Sequence, residues 1–309
     1  MSYIVVVAVT VAIYAILVVS LNIVVGYVGQ PNLAQSVFFG IGAYFSAVFS
    51  TRYHLSFWWT IPIAFVIAGA AGLLLGAISL RLREDFLAVT TIGLNFVVVA
   101  VFQYVAFFGG AVGIYAIPLP SIGGHVFTNN DFLIVALLML LLTVGTSAYL
   151  QRTWFGVSLF AIRDDEQAAA SIGIPIASYK VLAFVLSAAF AGMAGSLYAP
   201  FMSTVTPGSF GFTESVVVLA MLIFGGLGTI RGALIGAVIL GTLPEAFRFI
   251  SNYRLLTFGL ILLVMLRFQP EGLLGDGSLI VRGVQRLWHS MRAPRSVMPG
   301  KDGISHGAP

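Results

Sequence analysis

Cysteine is absent from the 309 residues, which excludes disulfides and thiolate metal sites. Charge is scarce: 15 basic and 11 acidic residues make up 8% of the chain, against about 25% in a soluble domain. So few charges cannot hydrate the surface of a soluble globule. A soluble enzyme, a nucleic-acid-binding module and a disordered protein are excluded together. Lysine occurs only at Lys180 and Lys301, and neither ends the GxxxxG spacing that cradles phosphates. If ATP is used, another subunit binds it. The histidines (His54, His125, His289, His306) fall in loops or the tail without metal-ligand spacing, and neither HExxH nor GxSxG occurs. The chain reads as a non-enzyme with no metal or cofactor of its own.

What is present is apolar. Hydrophobic residues are 59% of the sequence and mean hydropathy is +1.03, so the chain divides naturally by bilayer thickness, about 20 residues per crossing. Apolar runs fall at 3–22, 33–51, 57–79, 86–108, 132–150, 181–200, 213–230, 232–250 and 253–268. The expectation is one all-α polytopic membrane domain over 1–275 with eight to ten transmembrane helices. The first run lacks a basic leader and a small-residue cleavage site, so it reads as a mature helix. The 34 glycines suit helices that approach closely inside a membrane.

Basic residues set the orientation. With Arg81 and Arg83 placed in the cytoplasm, alternation adds Arg152, Arg163, Lys180, Arg231, Arg267, Arg282, Arg286, Arg292, Arg295 and Lys301. Only Arg52, Arg248 and Arg254 remain outside, and the C-terminus is inside. The N-terminal side stays open, because Asn22, Gly26, Gly29, Gln30, Pro31, Asn32 and Gln35 interrupt the apolar stretch from the first run into the second. That density of breakers predicts a broken or re-entrant helix, tolerated at depth where protein or water satisfies the freed backbone.

Few ionisable groups lie within the spans. Asn22, Asn32, Gln35, Asn95 and Gln103 are candidates for a translocation pathway, since neutral amides hydrogen-bond a zwitterion without the cost of a buried charge. The competing reading is hydrogen-bonding glue between helices. Glu214 is either a pathway residue or a partner for the positive end of its own helix. Glu245 can pair with Arg248 one turn on. A cytoplasmic loop over about 151–180 stands out for its charges, Arg163-Asp164-Asp165-Glu166, followed by Ala168, Ala169 and Gly173. Asp164 or Asp165 can cap a short helix that Gly173 and Pro175 end, leaving a small alanine face for a partner's groove.

That loop carries a resemblance. Arg152-Thr153-Trp154-Phe155-Gly156, the run from Ala161 to Glu166, Ala168-Ala169, Gly173-Ile174 and Lys180-Val181-Leu182-Ala183-Phe184 resemble the permeases of branched-chain amino-acid ABC importers, the LivM type being the closer one. Leu21–Tyr27, Phe38–Tyr44, Leu80–Arg83, Ala191–Tyr198, Gly225–Thr229 and Gln269–Gly275 extend it in order from about 20 to 275. The resemblance implies a bacterial inner-membrane subunit that pairs with a second, homologous permease. Two ATPase subunits would bind the ATP, and an extracytoplasmic binding protein would deliver branched-chain or related amino acids. It also makes Arg163 through Gly173 the ATPase-coupling helix. Asn95 stands where many relatives have Glu, and Gly109-Gly110-Ala111-Val112-Gly113 is less polar than its counterpart; both imply a less polar cargo or contacts made mainly by the partner permease. Phe39-Gly40-Ile41-Gly42 and Phe224-Gly225-Gly226-Leu227-Gly228 echo one another, as in an inverted repeat. The alternative function is an ion-coupled secondary transporter, which needs an acidic site at the midplane. The segment 276–309 reads as a basic cytoplasmic tail whose residues 279–292 form an interfacial amphipathic helix on membrane lipid.

Overall fold

A long apolar run without proline makes Tyr3–Asn22 a helix, α1, which widens into a π-helical turn over Ile23–Val28. It opens a bundle continued by α2 (Gln35–Arg52), α3 (Phe57–Ser79), α4 (Glu84–Tyr104) and α5 (Asn129–Arg152). Two short helices follow, α6 (Trp154–Asp164) and α7 (Glu166–Ser171), then α8 (Ile176–Met202), α9 (Phe212–Gly225) and α10 (Ile230–Ala246). The computed structural model describes residues 3–82, 84–122 and 125–246, and beyond them only Gly259, Arg267, Gly272 and Leu273. The expected span 253–268, the Glu245–Arg248 pair and the tail helix 279–292 lie outside the described residues.

Among the described residues, six helical segments are long and apolar enough to cross a bilayer: Tyr3–Val28, Phe57–Ser79, Phe86–Tyr104, Asn129–Arg152, Ile176–Met202 and Pro207–Gly225. The span expected at 33–51 is α2, whose serines, glycines and glutamine lower its apolarity; it is buried along most of its length rather than turned to lipid. α10, within the span expected at 232–250, is described as far as Ala246, over 17 residues. The span expected at 86–108 ends at Tyr104, where two 3₁₀ turns over Ala106–Phe108 and Gly110–Val112 take over. The one expected at 213–230 ends at Gly225, one residue before the glycine turn.

Small residues decide who sits in the middle. α8 carries Ala188, Ala189, Gly192 and Gly195, and it is buried along most of its length against α2 and α3. A side chain on Gly42 would run into the Gly192 backbone, and one on Gly72 would meet Ala188 and the Phe184 carbonyl. Backbones in contact maximise dispersion where lipid offers no hydrophobic drive. Aromatic rings fill the wider gaps: Tyr44 stacks on Phe102 at 4.1 Å, and Phe39 meets Phe210 at 5.2 Å.

The two ends of the bundle differ. One end gathers Arg52, whose Nη2 donates to the Ala106 carbonyl, with the strand pair β1 (Ile114–Tyr115) and β4 (Thr204–Val205) and the hairpin of β2 (Ser121–Ile122) and β3 (His125–Val126). The other gathers Val28–Gln30, Ser79–Leu82, α6, α7 and the turn between α9 and α10.

The loop expected to hold one short helix from Arg163 to Gly173 holds two. Asp165 is extended (φ −158°, ψ 108°) and separates α6 from α7, so Arg163 and Asp164 end the first helix rather than begin the second. Of the two aspartates, Asp165 is the cap: its Oδ1 accepts from Gln167 N at 2.8 Å and Ala168 N at 3.0 Å. The stop is a Schellman motif, with Gly173 N donating to Ala170 O and Ile174 N to Ala169 O. Gly173 adopts φ +85°, which a side chain would strain.

Candidate functional site: a loop that grips the broken first helix

The first helix breaks where its hydrogen bonds run out. Gly29 (φ +80°) and Gln30 both turn their N–H groups back to the Val24 carbonyl. The Gly26 carbonyl then has no successor: Gln30 is engaged and Pro31, the next in register, has no N–H. Arg163 supplies the missing donor. Its Nη1 reaches Gly26 O at 2.6 Å, a cation at the negative end of a helix. The Arg163 stem lies over Gly29, and one turn earlier in α6 Phe160 meets the Tyr27 ring at 5.1 Å. Tyr27 is fully buried and its hydroxyl shares a 2.7 Å hydrogen bond with Ser147 of α5.

The turn between α9 and α10 joins the same cluster. Asn22 Oδ1 accepts from Gly228 N at 2.9 Å, and Gln151 Nε2 donates to Gly228 O at 3.3 Å. Gly26 and Gly228 approach so closely that a Cβ on Gly26 would lie 2.7 Å from Gly228 N. Gly272 seats against Gly226, and Leu273 N donates to Phe224 O at 3.0 Å. Segments far apart in the sequence thus meet around one arginine at the start of the candidate coupling loop. α6 is thus bonded to the end of the first helix, which is itself bonded to the turn that joins α9 and α10.

α7 is tied by a second contact. Lys180 Nζ, on α8, bonds Glu166 Oε2 at 2.6 Å; Lys180 is only 8% exposed while the Glu166 side chain is 49% exposed. Ala169 is buried against the loop, whereas Ala168, Ala170 and Ile172 face outward. Asp164 and Asp165 are exposed. Sequence reasoning placed these residues together but missed the partners of Arg163 and Glu166.

The membrane-depth amides separate into two groups. Gln35 knits α1, α2 and α8: its Nε2 donates to Ser20 Oγ at 2.8 Å, and its Oε1 accepts from Ser187 Oγ at 3.2 Å. Asn32 shapes the non-helical segment that leads into α2, with its Oδ1 accepting from Ala34 N at 2.9 Å. Asn95 joins α2, α4 and α9 by donating to Ser36 Oγ at 2.7 Å and Ser215 Oγ at 3.2 Å. Glu214 precedes Ser215 in the first turn of α9 and is half-buried. Gln103 stands apart on an exposed stretch of α4.

Residues 3–266 match the family model described as branched-chain amino acid transport system / permease component. The chain belongs to that family. It is 37% identical to the high-affinity branched-chain amino acid transport system permease protein LivM of Escherichia coli K12, over 85% of this chain and 68% of that protein. It is 26% identical to LivH of the same organism, over 85% and 91%, and 25% identical to BraD of Pseudomonas aeruginosa, over 85% and 91%. No solved structure matches the chain. The Arg163 cluster therefore belongs to a transport permease, and four of the segments that carry the resemblance, Leu21–Tyr27, Ala161–Glu166, Gly225–Thr229 and Gln269–Gly275, supply most of its members.

Proposed function

We propose that this chain is the LivM-type permease subunit of an ABC importer for branched-chain or related amino acids. It forms half of the pathway beside a second, homologous permease. Two separate ATPases dock beneath α6 and α7, and an extracytoplasmic binding protein delivers cargo at the opposite end. The end that holds Arg163 faces the cytoplasm, the C-terminus lies on that side, and eight to ten crossings arranged as an inverted repeat complete the fold. The observation that carries this reading is the 2.6 Å bond from Arg163 to Gly26. A loop at the membrane surface is fastened to a helix whose own bonding is interrupted, so a push on the loop becomes a tilt of the span.

ATP tests it. Uptake by vesicles holding the whole complex should stop without ATP, and this chain reconstituted alone should carry nothing down an ion gradient. Gradient-driven transport by the single chain would replace the reading with an ion-coupled carrier.

Asn95, with Glu214, is the strongest candidate for cargo contact within the spans, because Asn95 is fully buried and its Oδ1 has no hydrogen-bond partner. That oxygen can accept from a passing ammonium. Gln103 would serve the outer part of the route, and Asn22, Asn32 and Gln35 the re-entrant hinge. Asn95→Leu should still assemble, because Ser36 and Ser215 keep their own 2.7 Å hydrogen bond, and should slow uptake about ten-fold, the effect of about 1.4 kcal/mol for one hydrogen bond. An unchanged rate of uptake would remove Asn95 from the pathway.

A further inference from the structure

Beside the coupling loop, on the same end of the bundle, lies a cavity of about 500 Å³, within the size range of small-molecule sites, about 300–1,000 Å³. Its polar lining is Glu166, Lys180, Gln30 and Ser79, whose hydroxyl is engaged by the Gly76 carbonyl; its apolar lining comes from Leu80, Leu82, Ile176 and the small Ala177. Gln30 is 2% exposed and its Oε1 has no hydrogen-bond partner. A buried acceptor left empty is costly, and a donor brought by a ligand would relieve it.

The charges narrow what the donor belongs to. Lys180 and Glu166 neutralise one another at 2.6 Å. A ligand with a single charge would be attracted to one and repelled by the other. A nucleotide or inorganic phosphate would meet the Glu166 carboxylate, and a bare amine would meet the Lys180 ammonium. A zwitterion suits both: its carboxylate takes the remaining Lys180 donors, and its ammonium takes Glu166 and the Gln30 oxygen. The four aliphatic lining residues then select a branched or linear apolar side chain.

We propose that this cavity binds a zwitterionic aliphatic amino acid from the cytoplasmic side and thereby restrains transport. The ligand would bridge α3, the segment after the first helix, α7 and α8. Its binding would stabilise one setting of the coupling loop and lower the population of the other. The cargo itself, accumulated at the releasing face, is the chemistry that fits. The cytoplasmic placement and the feedback rest on the function proposed above, whereas binding to the cavity does not.

The test uses the complete complex, purified without its binding protein in phosphatidylcholine nanodiscs, with L-leucine as the probe. Leucine should raise the melting temperature in a concentration-dependent way. At equal concentration, 4-methylpentanoate (no ammonium) and isoamylamine (no carboxylate) should not. Gln30→Met removes the empty acceptor, and Ala177→Phe fills the cavity from its α8 wall. Both should lose the leucine response. Gln30→Met should be at least as stable as the parent without ligand, because an unsatisfied polar atom has gone. In proteoliposomes, uptake should fall about two-fold when luminal leucine equals its dissociation constant, since half the complexes are then restrained, and Gln30→Met should be insensitive.

No leucine response in the parent complex overturns the proposal, as does a response that survives in both variants. A response to phosphatidylethanolamine but not to leucine would assign the cavity to a lipid headgroup and overturn it equally. ATP-driven uptake without any leucine response would sink the cavity site while leaving the importer reading intact.

Discussion

Arg163→Met should leave a complex that assembles and hydrolyses ATP but transports poorly. The substitution keeps the aliphatic stem that covers Gly29 and removes only the guanidinium that bonds Gly26 O. A hydrogen bond from a charged donor contributes about 1.5–3 kcal/mol. If that bond transmits the movement of α6 to α1, its loss weakens the coupling of the two by about the same amount, or about 30-fold in an equilibrium at 2 kcal/mol. ATP consumed per amino acid carried should rise accordingly. Arg163→Lys should be intermediate, because an ammonium keeps the charge but not the planar reach of the guanidinium. The contrast with Gln151→Ala is informative, since Gln151 bonds Gly228 O at 3.3 Å without charge; its effect on the ratio should be small. Uptake by Arg163→Met at the parental rate and stoichiometry would show that the arginine is only a structural fastening.

What could be read from the residue order was local. A cap at Asp164 or Asp165, Gly173 as a stop and the breakers between Asn22 and Gln35 all act within a few residues, so spacing is enough to find them. The limits of α3 at 57–79 follow from the apolar run in the same way. The separate helix α6 was missed because Asp164 and Asp165 are equally good caps on paper, and only the extended backbone at Asp165 shows where one helix ends. The partners were not legible for a different reason. Arg163 and Gly26 are 137 residues apart, and which carbonyl needs an outside donor depends on a π-turn and on Pro31 lacking an N–H. The amides at depth gave a polarity signal that fits glue and pathway alike. The geometry distributes them by fixing Gln35 between three helices and leaving Asn95 with an unused oxygen. Gln30 reads only as a breaker, because nothing local reveals that its side chain is buried beside a charge pair.

Glu166→Arg should detach the ATPases. Lys180 is nearly buried, and its partner sits at the more exposed start of α7. Reversing that partner places two cations within contact distance and leaves the ammonium without a counter-charge. Removing one member of a buried pair costs about 3–5 kcal/mol, and the partial exposure of Glu166 discounts this to about 2 kcal/mol. The Asp165 cap and the Gly173 stop hold α7 together as a helix, so the loss falls on its seating against α8 rather than on the spans. The permease should still be recovered from membranes, with ATPase subunits absent from the purified complex. Glu166→Lys combined with Lys180→Glu separates two causes by double-mutant logic. If the pair acts by seating α7, the exchanged pair should restore ATPase association. If Glu166 itself meets the ATPase, the exchange should restore the melting temperature of the permease but not the association. ATPase retention in Glu166→Arg would mean that the engine docks elsewhere, and the role given to α7 would fall with it.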